Sequence, residues 1–330
     1  MKAQAVVFDD RNQVLFREVE IPEPGERDVV VEVEYSWISI GTESSFLRGE
    51  RISGEVPYRP GDPWPFPIAA GYQKVGRAVQ VGSAVTHIKP GDRVFATVSW
   101  IKGMHFDFAG HVNPAVTDGG QVWKLPEGVS PIAFSGAVLT QVGYNCGSRP
   151  PVQRGESAVV IGDGLVGQWA AQTLHARGAA VYILGHREER LRLAEAGGYA
   201  VALNGRSVDP AAELRGAGAS VGIVVDTVGS LDTFRRLQPL MKHDSHLVSA
   251  GYLGENGAID IQTLREQEIT LHSPSGWSTP RMDETIRGIA EGWLRTESLI
   301  THRFPAGDAA KAWQLITAKG SPCLGVVLEW

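Results

Sequence analysis

Ala158-Val159-Val160-Ile161-Gly162-Asp163-Gly164-Leu165-Val166-Gly167 decides how this chain of 330 residues is read. An unbroken apolar run suits a strand buried on both faces, and Leu165 to Ala176 continues with the spacing of a helix. Between them lies G-x-G-x-x-G. As a bare string the pattern is common, but between strand and helix each glycine has a task. One permits the tight turn, one lets backbone amides approach a pyrophosphate, and one allows helix and strand to pack closely. The stretch predicts a dinucleotide-binding turn, with Gly162, Gly164, Leu165, Val166 and Gly167 around the phosphates.

Downstream, apolar runs alternate with helical patterns, the signature of a doubly wound parallel sheet. Ala180 to Leu184 reads as the second strand, and Arg187 to Ala196 as a charged helix stopped by Gly197-Gly198. Gly222 to Asp226 and Ser245 to Ala250 follow as strands, separated by a helix from Leu231 to Met241, and Glu268 to His272 is one more. Val228, Ala250 and Gly251 are expected beside the nicotinamide ribose, at the carboxyl edge of the sheet. At the end of the second strand, where an acid usually accepts hydrogen bonds from the adenosine ribose, the chain reads Leu184-Gly185-His186-Arg187. With no carboxylate there and room at Gly185, His186, Arg187 and Arg190 can face a 2′-phosphate. NADP(H) is therefore expected in preference to NAD(H). The alternative is that Arg187 to Arg190 solvate a helix face and Glu188 meets the ribose.

Upstream, Asp28 to Tyr35 alternates apolar and polar residues, and Val75 to Gly82 repeats the pattern. The turn Lys89-Pro90-Gly91-Asp92 precedes a strand Arg93 to Ala96, which makes antiparallel barrel material. A Pro-rich, aromatic stretch between Pro57 and Pro67 reads as an extended loop. Composition excludes other classes. Lys and Arg number 31 against 37 Asp and Glu, so the formal charge of −6 argues against a nucleic-acid partner. Two cysteines supply neither a disulfide framework nor a four-cysteine zinc site. Acidic Asp9 and Asp10 interrupt any signal core, and no stretch stays apolar for ~18 residues, so a cytoplasmic protein with no membrane segment is expected.

The barrel with its Lys89-Pro90-Gly91-Asp92-Arg93-Val94 turn, the mid-chain glycine loop and a C-terminal return together resemble the medium-chain dehydrogenase/reductase superfamily over the whole chain. That resemblance implies an α/β fold: a GroES-like antiparallel β-barrel catalytic domain over 1–141 and 275–330, and a Rossmann domain over 142–274. It also implies a small-molecule substrate and a homodimer or homotetramer. In zinc-dependent members the catalytic metal is held by the Cys of Cys-Gly-Thr-Asp, the His of Gly-His-Glu and a later Cys or Glu. The matching segments here are Ile40-Gly41-Thr42-Glu43 and Gly71-Tyr72-Gln73, with the third position near Val138. No metal is expected. His105 and His111, without a placed carboxylate, read as surface or pocket lining rather than new ligands.

A narrower resemblance, carried by Trp37-Ile38-Ser39-Ile40-Gly41-Thr42-Glu43, Gly71-Tyr72 and the ending Leu299-Ile300-Thr301-His302-Arg303 … Pro322-Cys323-Leu324-Gly325-Val326-Val327-Leu328-Glu329-Trp330, is to the zinc-lacking bacteriochlorophyllide dehydrogenase-like alcohol dehydrogenases. It implies interconversion of a secondary alcohol and a carbonyl. Without zinc, a proton donor must answer the charge that hydride transfer builds on oxygen. Tyr72 is the candidate, with Thr42 relaying and Glu43 and Gln73 orienting. Equally, Tyr72 could bond a backbone carbonyl, and Thr42 and Glu43 could bond a local turn. Phe46, Trp100, His105 and Trp277, with Trp64, Phe106 and Trp123, could wall a pocket for a bulky aromatic, pigment-like or sugar-like substrate, although each alone is as readily core packing. An enoyl or quinone reductase and a non-catalytic nucleotide sensor are the competing functions.

Overall fold

The alternation beginning at Asp28 becomes the longest strand of an antiparallel unit in the computed structural model, which describes residues 1–50, 65–253 and 258–330. Most of the expected Pro57 to Pro67 loop, with Trp64, lies outside the described residues. The chain divides into two compact units, Met1–Val138 with Ile300–Trp330, and Leu139–Leu299.

In the first unit β1 (Lys2–Asp10) and β2 (Gln13–Glu20) form a hairpin, followed by β3 (Asp28–Trp37) and helix α1 (Ile40–Leu47). β4 (Ile68–Ala69), β5 (Lys74–Val81) and β6 (Arg93–Ala96) come next, then the short β7 (Ser99–Trp100), β8 (Phe108–Ala109), β9 (Val112–Asn113), β10 (Ala115–Asp118) and β11 (Val122–Lys124). The predicted turn before β6 is closed by the Asp92 amide donating to the Lys89 carbonyl at 3.0 Å and the Lys89 amide donating to Asp92 Oδ2 at 2.8 Å, with Gly91 at φ +92°.

The second unit opens on α2 (Ala137–Ser148), which begins at the boundary, and builds a parallel sheet. Its elements are β12 (Ser157–Ile161), α3 (Leu165–Ala176), β13 (Ala180–Gly185), α4 (Glu188–Gly197), β14 (Val201–Asn204), α5 (Pro210–Gly216), β15 (Val221–Asp226), α6 (Leu231–Leu237), β16 (Met241–Ser249), α7 (Ile261–Arg265), β17 (Thr270–His272) and α8 (Thr279–Ala290). The order β14-β13-β12-β15-β16-β17 is that of a doubly wound dinucleotide-binding sheet, whose direction of winding reverses between β12 and β15. Val159, Val160, Val224 and Val225 are fully buried, which explains their unbroken apolar runs.

Three expectations change here. The helix expected to reach Met241 stops at Leu237, because Pro239 in the following 3-10 turn has no N–H to continue it, and Met241 already opens β16. β14 is an addition to the expected strands, being a short edge strand whose Val201 is exposed. The return to the barrel comes at Ile300 rather than 275, and the first boundary falls after Val138 rather than 141. After α8 the chain stays tied to the parallel-sheet unit: the Trp169 indole donates to the Arg295 carbonyl at 3.3 Å, and the Arg295 amide donates to Gln172 Oε1 at 2.7 Å.

The returning segment adds β18 (Ile300–Pro305), α9 (Ala309–Thr317) and β19 (Gly325–Glu329) to the first unit. β19 pairs antiparallel with β3, placing Leu328 opposite Ser36. Phe8, Ile38, Trp313 and Leu328 form one buried cluster and the valines of β3 belong to another. No helix among the described residues is long and apolar enough to cross a membrane.

Candidate active site

The glycine loop of the parallel-sheet unit is shaped by close approach. Gly162 sits at φ +116°, and a Cβ there would lie 2.3 Å from Thr227 Oγ1; one on Gly167 would lie 2.0 Å from the Gly162 carbonyl. At Gly164 nothing lies within 4 Å. Gly164 is also the N-cap of α3 and offers no side chain to the helix, so the first-turn amides, with Leu165 and Val166, remain for an anion. Gly162 and Gly167 are thus needed for close packing of the loop, and the open space at Gly164 beside the first-turn amides fits a pyrophosphate.

The loops expected beside the nicotinamide ribose are organised by Asp226. Its carboxylate accepts the amides of Val228 and Gly229 at 2.9 Å and Ser230 at 2.8 Å, while its carbonyl accepts those of Ala250 and Gly251, each at 2.9 Å. A Cβ on Gly251 would lie 1.9 Å from the Gly229 nitrogen. Val228, Ala250 and Gly251 are thus brought together, and Asp226 is the residue that does so. Its place at the end of a buried strand, before Thr-Val-Gly, is the sequence signal for that.

At the end of β13 the expected basic turn is present, and Glu188 is drawn elsewhere: Asn204 Nδ2 donates to it at 3.1 Å, and Arg192 pairs with it at 3.5 Å. Arg190 Nη1 lies 3.4 Å from Asp163 Oδ1. Asp163 also accepts the amides of His186 and Arg187, although the glycine motif by itself makes that position a mere spacer.

In the barrel unit the candidate catalytic residues occupy two short segments. Thr42 is half-buried on α1, where its carbonyl accepts from Ser45 Oγ at 2.7 Å. Glu43, 1% exposed, accepts the Ser39 amide at 2.6 Å through Oε1 and faces His111 Nε2 at 3.0 Å through Oε2. His111 Nδ1 lies 2.8 Å from Ser36 Oγ, which in turn receives the Trp330 indole N–H at 2.8 Å. A carboxylate can only accept, so His111 donates from Nε2 to Glu43, and Nδ1 of the neutral ring then accepts the Ser36 hydroxyl proton. His111 is wholly buried and packs edge-on against Trp313 at 5.8 Å, which corrects its reading as surface or pocket lining. Partners from separated segments satisfy it, which no local spacing announces.

Tyr72 is half-buried, and its backbone is pressed against the same histidine turn. A Cβ on Gly110 would lie 1.9 Å from the Tyr72 nitrogen, and one on Gly71, at φ +82°, would lie 2.6 Å from His111 Cδ2. Gln73 is fully buried and donates to the Trp37 carbonyl at 3.2 Å. Lys74 is equally buried and donates to the Thr97 carbonyl at 2.5 Å, and burial pushes its amine down to about 7.

Of the expected pocket residues, Phe46 packs on the Trp313 cluster, Trp100 is partly exposed on β7, and His105 sets its ring edge-on to Phe106 at 4.8 Å. Trp277 belongs to the other unit. Trp123 is buried against Phe95, and Phe106 stacks on Phe108. Ile40, Tyr72, Gln73 and Val138 provide neither thiolate nor imidazole, and both nitrogens of His111 are engaged, so these residues do not fit a tetrahedral zinc ion. The one cluster of three potential ligands found among the described residues, His243 with Asp244 and Glu268, is exposed in the other unit.

Residues 166–291 match the family model described as zinc-binding dehydrogenase. The chain is 27% identical over 341 residues to 2-desacetyl-2-hydroxyethyl bacteriochlorophyllide A dehydrogenase of Cereibacter sphaeroides, covering 100% of this chain and 99% of that protein. Its fold is similar to that of the alcohol dehydrogenase RspB of Escherichia coli CFT073, solved with NADH, at a TM-score of 0.86, 21% identity and coverage of 100% and 99%. It is also similar to a Sinorhizobium meliloti 1021 protein solved with NADP, at a TM-score of 0.82, 19% identity and full coverage of both chains.

Proposed function

We propose that the chain is an alcohol dehydrogenase-like oxidoreductase of the medium-chain dehydrogenase/reductase superfamily, and that it interconverts a secondary alcohol and a carbonyl without zinc, using NADP(H) in preference to NAD(H). The observation that carries this reading is the exchange at the superfamily's metal position: Ile40 and Tyr72 stand where ligands would, while the cofactor cradle of the other unit is whole.

A bound nicotinamide would supply or accept the hydride. The first-turn amides of α3 would hold its pyrophosphate, the Asp226-ordered loops would border its ribose, and the basic turn after β13 would face a 2′-phosphate. In the direction of reduction, Tyr72 would give its phenol proton to the substrate oxygen. Thr42 and solvent then return a proton to Tyr72; oxidation runs the same transfers backwards. Glu43, committed to His111 and the Ser39 amide, holds the first turn of α1 that carries Thr42. We further propose a cytoplasmic homodimer or homotetramer acting on a bulky small molecule, with no nucleic-acid or membrane partner.

The test is a screen of ketones, enones and quinones with NADPH and NADH on chelator-treated protein. Ketone reduction that survives chelation and prefers NADPH supports the reading. Activity that is lost on chelation and restored by zinc overturns its metal-free part, and turnover of enones alone assigns the chain to the enoyl reductases.

A further inference from the structure

The second position of the glycine loop is a carboxylate, and the strand facing it ends in a glycine. Asp163 is 8% exposed. Its Oδ2 accepts the backbone amides of His186 at 2.8 Å and Arg187 at 2.9 Å, and its Oδ1 faces Arg190. A Cβ built on Gly185 would stand 2.3 Å from Asp163 Oδ2, 2.5 Å from its Cβ and 2.7 Å from its Cγ. Because the Asp163 Cβ is fixed by the backbone, no change of rotamer clears that space. Turning the carboxylate away would also leave two turn amides without their acceptor. Gly185 is therefore required by Asp163, and not only by a ligand.

This arrangement bears on nucleotide choice. A carboxylate on residue 185 is the ordinary way to accept hydrogen bonds from an adenosine ribose, and Asp163 occupies the space it needs. Asp163 does not replace it, since Oδ2 is taken by two amides and Oδ1 lies against a guanidinium. What the turn does present is basic. His186, Arg187 and Arg190 are joined by the loop after β14, where the Gly205 amide donates to the Gly185 carbonyl at 3.0 Å and Arg206 follows.

We propose that Asp163 is the specificity-determining residue of the cofactor site: it fixes the turn after β13, excludes every side chain from position 185, and so commits the pocket to an adenosine ribose carrying a 2′-phosphate. The inference rests on the NADP(H) reading above. It makes residues 163 and 185 a coupled pair, so cofactor preference cannot be reversed at position 185 alone.

The experiment measures NADPH and NADH dissociation constants by nicotinamide fluorescence for wild type, Gly185→Ala, Gly185→Asp, Asp163→Gly and the two double variants, each checked for folding by thermal melting. Gly185→Ala and Gly185→Asp alone are expected to weaken both nucleotides about tenfold, and the same changes made in the Asp163→Gly background, which removes the blocking Cβ, to weaken NADH by less than about twofold. Asp163→Gly/Gly185→Asp is expected to prefer NADH. Gly185→Ala adds a single carbon, so it reads the coupling even if Gly185→Asp does not fold. Wild-type preference for NADH overturns the cofactor reading and this inference together. Preference for NADPH with additive effects at 163 and 185, or a clean switch from Gly185→Asp alone, overturns this inference and leaves the reading standing.

Discussion

The two units build their functional segments from different materials. In the parallel-sheet unit the segments are backbone: amides at the start of α3, amides gathered by Asp226, and glycines that let chains approach within a carbon's radius. In the barrel unit the corresponding work falls to side chains. Glu43, His111, Ser36 and Trp330 come from separate stretches and meet in the interior. A backbone site needs a local run of particular residues and can be read in one window, whereas a buried side-chain network is assembled by the fold and leaves no periodic trace.

The sharpest test of that contrast is Tyr72→Phe. It removes the hydroxyl of the proposed proton donor and is expected to lower kcat by about 10²- to 10⁴-fold with little change in nucleotide affinity, measured in steady state. Full turnover by the variant would sink the donor role and leave the barrel unit without its proposed acid.

Lys74 comes next. Its amine titrates at about 7 when folded against 10.5 when exposed, so across that window the unfolded chain holds a proton that the folded chain has released. Stability therefore rises with pH from about 7 toward 10.5 and is lowest, and level, below 7; the full span is on the order of a few kcal/mol. Lys74→Met should flatten that slope and stabilise the protein at neutral pH, as judged by urea unfolding at pH 7 and 9. An unchanged slope would show that the barrel interior tolerates the charge.

Removing Glu43 by Glu43→Ala leaves the His111 N–H and the Ser39 amide without their acceptor, at a cost of about 1–3 kcal/mol in unfolding free energy. Asp226→Asn, in the other unit, should weaken cofactor binding by about tenfold while lowering kcat less, because the amide's oxygen cannot serve all three backbone donors. If Glu43→Ala altered nucleotide affinity more than Asp226→Asn did, the division between the units would fail. The smallest effect is expected for Glu188→Gln. That carboxylate is exposed and turned toward Asn204 and Arg192, so the NADPH to NADH ratio should stay within about twofold.

Legibility followed the same division. The helix from Leu165 to Ala176 and the turn Lys89 to Asp92 occur where their residues predict, because glycine, proline and apolar period act within a few positions. The overlong helix toward Met241 fails at Pro239, which breaks an otherwise helical apolar spacing. The late return at Ile300 is invisible in the local pattern because Arg295 is held by Trp169 and Gln172 from far upstream. At the site, Gly185 reads as room for a ligand, yet its nearest constraint is Asp163, 22 positions earlier, reached only because β12 and β13 lie side by side.

The sequence by itself determined a parallel-sheet unit joined to an antiparallel barrel, a glycine turn between strand and helix, and the residue types at Ile40, Tyr72 and Val138. All of these depend on residue identity over short spans. Only the tertiary structure decided that His111 is an interior partner of Glu43, that Lys74 is enclosed among carbonyls, and that Asp163 lies against position 185. A buried polar group takes whatever partner the packed strands bring within hydrogen-bond reach, and that partner is a property of the assembled barrel or sheet rather than of any stretch of chain.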